Sequence, residues 1–168
     1  MGVKDHREAA KGLGPLKGAV ITVSDTRSAV EDESGRLIRE LLEKEGHRVV
    51  AQKIVKNDIQ LIRETVQDLL LQAIDFVITT GGTGIGKRDL TIEAVSPLLE
   101  KALPGFGELF RALSYAEVGS AAFLSRALLG TAAGKVVVSL PGSPQAVRLA
   151  LDRLLLPELR HLVWGARG

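Results

Sequence analysis

The 168-residue chain contains no cysteine, which excludes disulfides, thiolate metal centres and cysteine nucleophiles. Its three histidines, His6, His47 and His161, are scattered without an HExxH or other ligand spacing. Aromatic residues make up only 4% of the chain and the formal net charge is +2. With no RNP-type or zinc-knuckle signature either, nucleic acid is not an expected partner. No apolar run approaches the ~20 residues of a membrane span, and the first residues hold no apolar secretory segment. A cytoplasmic protein without membrane contact is the expectation.

What remains for chemistry is carboxylates, hydroxyls, Lys and Arg, and backbone amides. A hydrophobic fraction of 45% with 25% charged residues describes a folded domain, and this length buries roughly 70% of the unfolded surface around one core. Residues 1–16, with Lys4, Asp5, Arg7, Glu8 and Lys11, read as a flexible solvated leader. Residues 17–168 read as a single domain.

Strands are expected at 18–24, 47–55, 75–80 and 135–139, each a short run rich in apolar or β-branched residues. Between them, Leu37, Ile38, Leu41 and Leu42 repeat at helical spacing up to Gly46. Ile59, Ile62, Val66, Leu69 and Leu70 do the same after a cap at Asn57 or Asp58. A further helix is expected from about Asp89 to Lys101, and another from Pro144 to about Leu156, with Pro at its first position. Residues 104–134, broken by Gly105, Gly107, Gly119 and Gly130, read as short helices and loops. Alternating strands and helices predict an α/β fold in three layers, a mostly parallel sheet covered by helices on both faces. In such sheets ligands sit beyond the carboxyl ends of the strands.

Three of those ends are unusual. The segment Thr80-Gly81-Gly82-Thr83-Gly84-Ile85-Gly86-Lys87-Arg88-Asp89-Leu90-Thr91-Ile92-Glu93 joins a strand to a helix. Its glycines let backbone amides approach an anion, so a phosphate is the expected guest. It is not a P-loop, because Arg88 stands where a magnesium-ligating Ser or Thr belongs. Nor is it a dinucleotide fingerprint, because Lys87 replaces the third glycine. Asp89 is either a helix cap or a carboxylate that shares a metal with phosphate oxygens. Ser139-Leu140-Pro141-Gly142-Ser143-Pro144 reads as a turn and helix cap that also offers amides and a hydroxyl to an anion. Ser24-Asp25-Thr26-Arg27 lacks the second aspartate of an aspartyl-nucleophile phosphatase. Asp32-Glu33-Ser34-Gly35 leads into the first helix of the domain, with Ser34 as its cap. Ser143 lacks the Gly-x-Ser-x-Gly context of a hydrolase.

Together, Val23-Ser24-Asp25, Asp32-x-Ser34-Gly35, Thr80-Gly81-Gly82-Thr83-Gly84 with Arg88-Asp89-x-Thr91-x-Glu93, and Ser139 to Pro144 resemble the MogA/MoaB family of molybdenum cofactor biosynthesis. The resemblance spans residues 17 to 165 and looks more like the MoaB branch. It implies a homotrimer, or an assembly of trimers, binding the small molecules molybdopterin and ATP. It also implies Mg2+-dependent transfer of AMP to molybdopterin with release of pyrophosphate, and other cofactor enzymes as possible partners.

On the same resemblance, Asp89 is a catalytic or magnesium-holding carboxylate. Ser24, Asp25, Ser34, Gly35, Gly81, Gly82, Thr83, Gly84, Arg88, Thr91, Glu93, Pro141, Gly142 and Ser143 belong to the binding site. Ser114, Ser125 and Arg126 fall where molybdopterin is seated. The chain departs from the family once. A Val-Pro-Asp-Asp or Val-Pro-Asp-Glu stretch becomes Val55-Lys56-Asn57-Asp58, so either Asp58 stands in for the missing acid as a second catalytic carboxylate or the site works with one carboxylate and lower activity. The alternative is a molybdopterin carrier or scaffold without catalysis.

Overall fold

A computed structural model describes residues 2–168. Its elements run α1 (Val3–Lys11), β1 (Lys17–Val23), α2 (Glu33–Lys44), β2 (Arg48–Val55), α3 (Ile59–Leu70), β3 (Phe76–Thr80), α4 (Thr91–Val95), β4 (Lys101–Ala102), α5 (Pro104–Val118), β5 (Leu128–Ala132), β6 (Lys135–Leu140), α6 (Pro144–Ala150) and α7 (Leu156–Arg167). One π-helical stretch, Leu151–Leu155, makes α6 and α7 a continuous rod.

Strand residues alternate between the two faces, as a pleated strand requires. Val20, Ile78, Val136 and Val138 face α2, α5 and the α6–α7 rod through Ile38, Leu42, Phe106, Phe110, Val147, Leu155 and Leu159. Ala19, Ile21, Val77 and Val137 face α3 and α4 through Ile62, Val66, Leu69, Ala94 and Val95. Both faces are therefore buried, which is why β1 and β3 read as runs of apolar and β-branched residues without polar alternation.

The six strands lie in the order β2-β1-β3-β6-β5-β4. Strands β2, β1, β3 and β6 are parallel, β5 runs antiparallel to β6, and β4 antiparallel to β5. The chain leaves β1 toward β2 on one side and returns to place β3 on the other, so the order reverses between β1 and β3. Thr22 pairs with Thr80, and Thr80 with Leu140, so the loops after β1, β3 and β6 start at one level beside that crevice.

The structure differs from the sequence reading in four places. Residues 3–11 form a helix, not a frayed leader. The helix packs on α7, with Ala10 2% exposed and His6 beside Trp164 at 4.9 Å between ring centroids. Residues 104–134 hold a 15-residue helix, a 3-10 turn and the first strand of a β-hairpin. The glycines at 105 and 107 sit in the first turn of α5, and Gly119 closes it at φ 65°. The helix expected over 89–101 is only Thr91–Val95 plus one 3-10 turn. Asp32, not Ser34, caps α2 by accepting from the Gly35 amide at 2.9 Å.

Candidate functional site

The loops after β1, β3 and β6 enclose an open cleft of about 590 Å3. Ser24, Asp25, Thr26 and Arg27 form one wall, Gly81 to Gly84 with Arg88 and Asp89 the second, and Pro141, Gly142 and Ser143 the third. Val23, Asn57, Leu124 and Ser125 complete the lining.

The walls are tied to one another below the cleft. Gly81 donates its amide to the Leu140 carbonyl at 3.0 Å, and Thr80 Oγ1 donates to the Pro141 carbonyl at 2.8 Å. Ser34 is fully buried, and its Oγ donates to the Gly142 carbonyl at 2.7 Å. Asp32, 2% exposed, accepts from Thr22 Oγ1 at 2.6 Å while it caps α2. Such a fully satisfied buried network fixes loop positions, because any broken member leaves a costly unpaired group.

Gly81 and Gly82 adopt φ of 93° and 66°, a region only glycine enters freely. A Cβ at Gly81 would lie 2.4 Å from the Val23 carbonyl, and one at Gly82 would lie 2.4 Å from Thr91 Oγ1. Thr91, buried below, grips this turn. Its Oγ1 donates to the Gly81 carbonyl at 2.7 Å and its amide to the Gly82 carbonyl at 2.9 Å. In a trans peptide the carbonyl and the next amide point in opposite directions, so the amides of Gly82 and Thr83 point away from Thr91. Those amides and that of Gly84 make no hydrogen bond among the described residues.

Carboxylates and guanidinium groups face one another across the opening. Asp89 Oδ2 accepts from the Gly86 amide at 2.8 Å, which folds the loop back on itself, and Oδ1 carries no hydrogen bond among the described residues. Asp89 is therefore not the cap of α4, whose N-cap is Leu90. Asp25 Oδ1 accepts from the Asn57 amide at 2.9 Å, and its Oδ2 lies 3.9 Å from Arg88.

Several expected site residues stand outside the lining. Asp58 caps α3 by accepting from the Leu61 amide at 2.9 Å, and Asn57 takes the cleft position beside it. Asp58 Oδ1 is thus engaged at the helix terminus, and the residue does not line the cleft. Ser34, Gly35 and Thr91 brace the loops from behind, and Ser114 is buried on α5. Glu93 and Arg126 form an ion pair at 2.5 Å. Hydrogen bonding from Arg126 holds the Glu93 carboxyl below the usual carboxylate range, against the opposing effect of burial. The sequence reading missed Asn57 and Arg27 as lining residues and Asp32 as the buried brace. Asp32, three residues before Gly35, was legible as a cap.

Residues 19–161 match the protein family described as a probable molybdopterin binding domain. The chain belongs to this family. It is similar to molybdenum cofactor biosynthesis protein B of Bacillus cereus, with 49% identity over 98% of this chain and 97% of that protein. The protein of the same name from Staphylococcus carnosus is 53% identical over 88% of this chain and 89% of its own length. Among solved structures, the tungsten cofactor synthesizing protein MoaB from Pyrococcus furiosus matches with a TM-score of 0.85 and 43% identity, covering 94% of this chain and all of that one.

This molybdenum cofactor biosynthesis fold carries its open cleft at the switch point of the sheet. Among the described residues no three histidine, aspartate or glutamate side chains gather as a metal centre. That does not conflict with magnesium, which in phosphoryl-transfer sites takes one or two carboxylates and fills its sphere with substrate oxygens and water. The free oxygen of Asp89 suits that role, with Asp25 on the opposite wall. No helix of the described residues is long and apolar enough to cross a membrane.

Proposed function

We propose that the chain is a molybdopterin adenylyltransferase, transferring AMP from ATP to molybdopterin in a magnesium-dependent reaction. The observation that carries the reading is the meeting of three unpaired amides, at Gly82, Thr83 and Gly84, with the Asp89 and Asp25 carboxylates in one open cleft. A terminal phosphate oxygen of molybdopterin attacks the α-phosphorus of ATP, the bond to the β-phosphate oxygen breaks, and pyrophosphate leaves. The step needs no protein nucleophile. Alignment alone supplies about 7 kcal/mol or more of such a barrier, and the remaining work is charge neutralisation. The glycine-loop amides hold phosphate oxygens, Arg88 and Arg27 balance their charge, and Asp89 holds magnesium. When bound, the magnesium offsets charge on the departing pyrophosphate.

A second reading is a molybdopterin carrier or scaffold without turnover. Asn57 favours it, since a neutral amide lines the cleft where the resemblance implies an acid. One assay separates the two. Pyrophosphate release from ATP and Mg2+ is measured with and without molybdopterin, using Asp89→Ala as control. Release that requires molybdopterin and is lost in Asp89→Ala, with molybdopterin affinity kept within a few-fold, supports transfer. Molybdopterin binding by the wild type without release supports the carrier.

The proposal includes a cytoplasmic homotrimer. Leu109, Tyr115, Val118 and Phe123, on α5 and the turn after it, are 57%, 64%, 47% and 73% exposed, an excess of bare apolar surface that self-association would cover. Light scattering at micromolar concentration tests it, and a monomer mass would refute it.

A further inference from the structure

Arg126 follows the turn after α5, and it does not line the cleft. Its guanidinium instead reaches the carbonyls of the glycine loop. Nε donates to the Thr83 carbonyl at 2.9 Å, and Nη2 donates to the Gly84 carbonyl at 2.7 Å and the Asp89 carbonyl at 3.3 Å. Nη1 is held by Glu93. A guanidinium presents its donors in a rigid planar fork, so three carbonyls meeting one fork are fixed in relative orientation.

The consequence follows from peptide geometry. All peptides among the described residues are trans, so a carbonyl turned toward Arg126 turns the next amide the other way. Thr91 already takes the Gly81 and Gly82 carbonyls, and Arg126 takes the next two. Four consecutive carbonyls are thus held by two residues. The amides between them are turned away from those two grips and carry no hydrogen bond among the described residues, in a loop that lines the cleft. The Arg126 charge is balanced by Glu93 at 2.5 Å, so it adds little net attraction for an anion in front of the loop.

We infer that Arg126, with Glu93 as its counter-ion, is a positioning residue that pre-orients the glycine-loop amides toward the phosphates of a nucleoside triphosphate, and is not a seat for the pterin. This assignment rests on the proposed reading of the loop as the nucleotide site. It adds a division of labour, with Thr91 setting the first half of the loop and Arg126 the second.

The test compares wild type, Arg126→Gln, Arg126→Lys and Glu93→Gln. Backbone order of Gly82, Thr83 and Gly84 is read by 15N relaxation, ATP·Mg2+ and molybdopterin affinities by calorimetry, and folding by thermal unfolding. In Arg126→Gln the three amides become more mobile and ATP affinity falls about tenfold or more, while molybdopterin affinity stays within twofold. Arg126→Lys, a single point of charge, restores less than half of the lost order. Glu93→Gln exposes the Arg126 charge and nevertheless fails to tighten ATP. The assignment is overturned if loop order is unchanged in Arg126→Gln, if molybdopterin affinity falls instead of ATP affinity, or if Glu93→Gln tightens ATP. A wild type without affinity for ATP would sink the nucleotide reading, and the relaxation data would then decide the clamp by themselves.

Discussion

The Asn57 amide donates to Asp25 Oδ1 at 2.9 Å, tying the loop after β2 to the loop after β1. The next residue, Asp58, points the other way and caps α3. Two adjacent residues thus divide a cleft role and a helix role between them. Asn57 Oδ1, beside Gly82, is buried without a partner.

Asp58→Ala is therefore expected to cost about 1 kcal/mol of stability, the usual worth of a lost N-cap, and to leave molybdopterin-dependent pyrophosphate release within twofold of wild type. Urea unfolding and the release assay check the two halves separately. A tenfold loss of release with normal stability would restore Asp58 as the stand-in acid.

Gly81→Ala is expected to act on both stability and function. The left-handed backbone costs an L-residue roughly 1–2 kcal/mol, and the added Cβ would press on the Val23 carbonyl at 2.4 Å. A loss of about 2 kcal/mol or more in urea unfolding, together with loss of ATP affinity, is the expected result. Normal stability would show that the turn accommodates a side chain.

The parallel centre of the fold was legible because its chemistry is local. Val20, Ile21, Val77 and Ile78 lie on both buried faces of their strands, so β1 and β3 announce themselves as short runs of apolar and β-branched residues. The glycine loop was legible for a similar reason, since its carbonyl-gripping partner Thr91 lies only ten residues from Gly81. Arg126 was not, because its partners Thr83 and Gly84 are 43 and 42 residues away and no spacing rule connects them. The hairpin of β5 and β6 was hidden in the same way. Its two-residue turn places Ala133 and Gly134 at φ of 51° and 69°, where Asn-Gly or Asp-Gly would have signalled a hairpin.

The first helix gave little signal because its contact with α7 buries little of its own surface. Ala10 is its only buried residue, and Arg7 pairs with Glu158 of α7 at the rim. Ala10→Glu is expected to detach α1 while the rest of the domain stays folded, at a cost of about 1–2 kcal/mol. Trp164 is the only tryptophan and lies against His6, so its fluorescence reports the detachment. An unchanged Trp164 spectrum would mean that α1 docks without Ala10.

His47 should make stability fall as the solution is acidified. It is 3% exposed, and its Nδ1 accepts from the Leu16 amide at 3.2 Å, a role open only to the neutral ring. Burial, then Arg160, lowers its pKa, with Glu45 and Asp75 opposing. A folded pKa below the unfolded one means that the unfolded chain binds the extra proton first. The His47 contribution is thus complete above the unfolded value of about 6.5 and declines as pH falls through it, by at most about 1.4 kcal/mol per pH unit. His47→Gln keeps an acceptor but cannot titrate. Urea unfolding between pH 7.5 and 5 should show wild type losing its advantage over this variant below about pH 6.5, while the carboxylates shared by both cancel. Parallel stability curves would mean that His47 holds the same proton count in both states and that the Leu16 contact tolerates protonation.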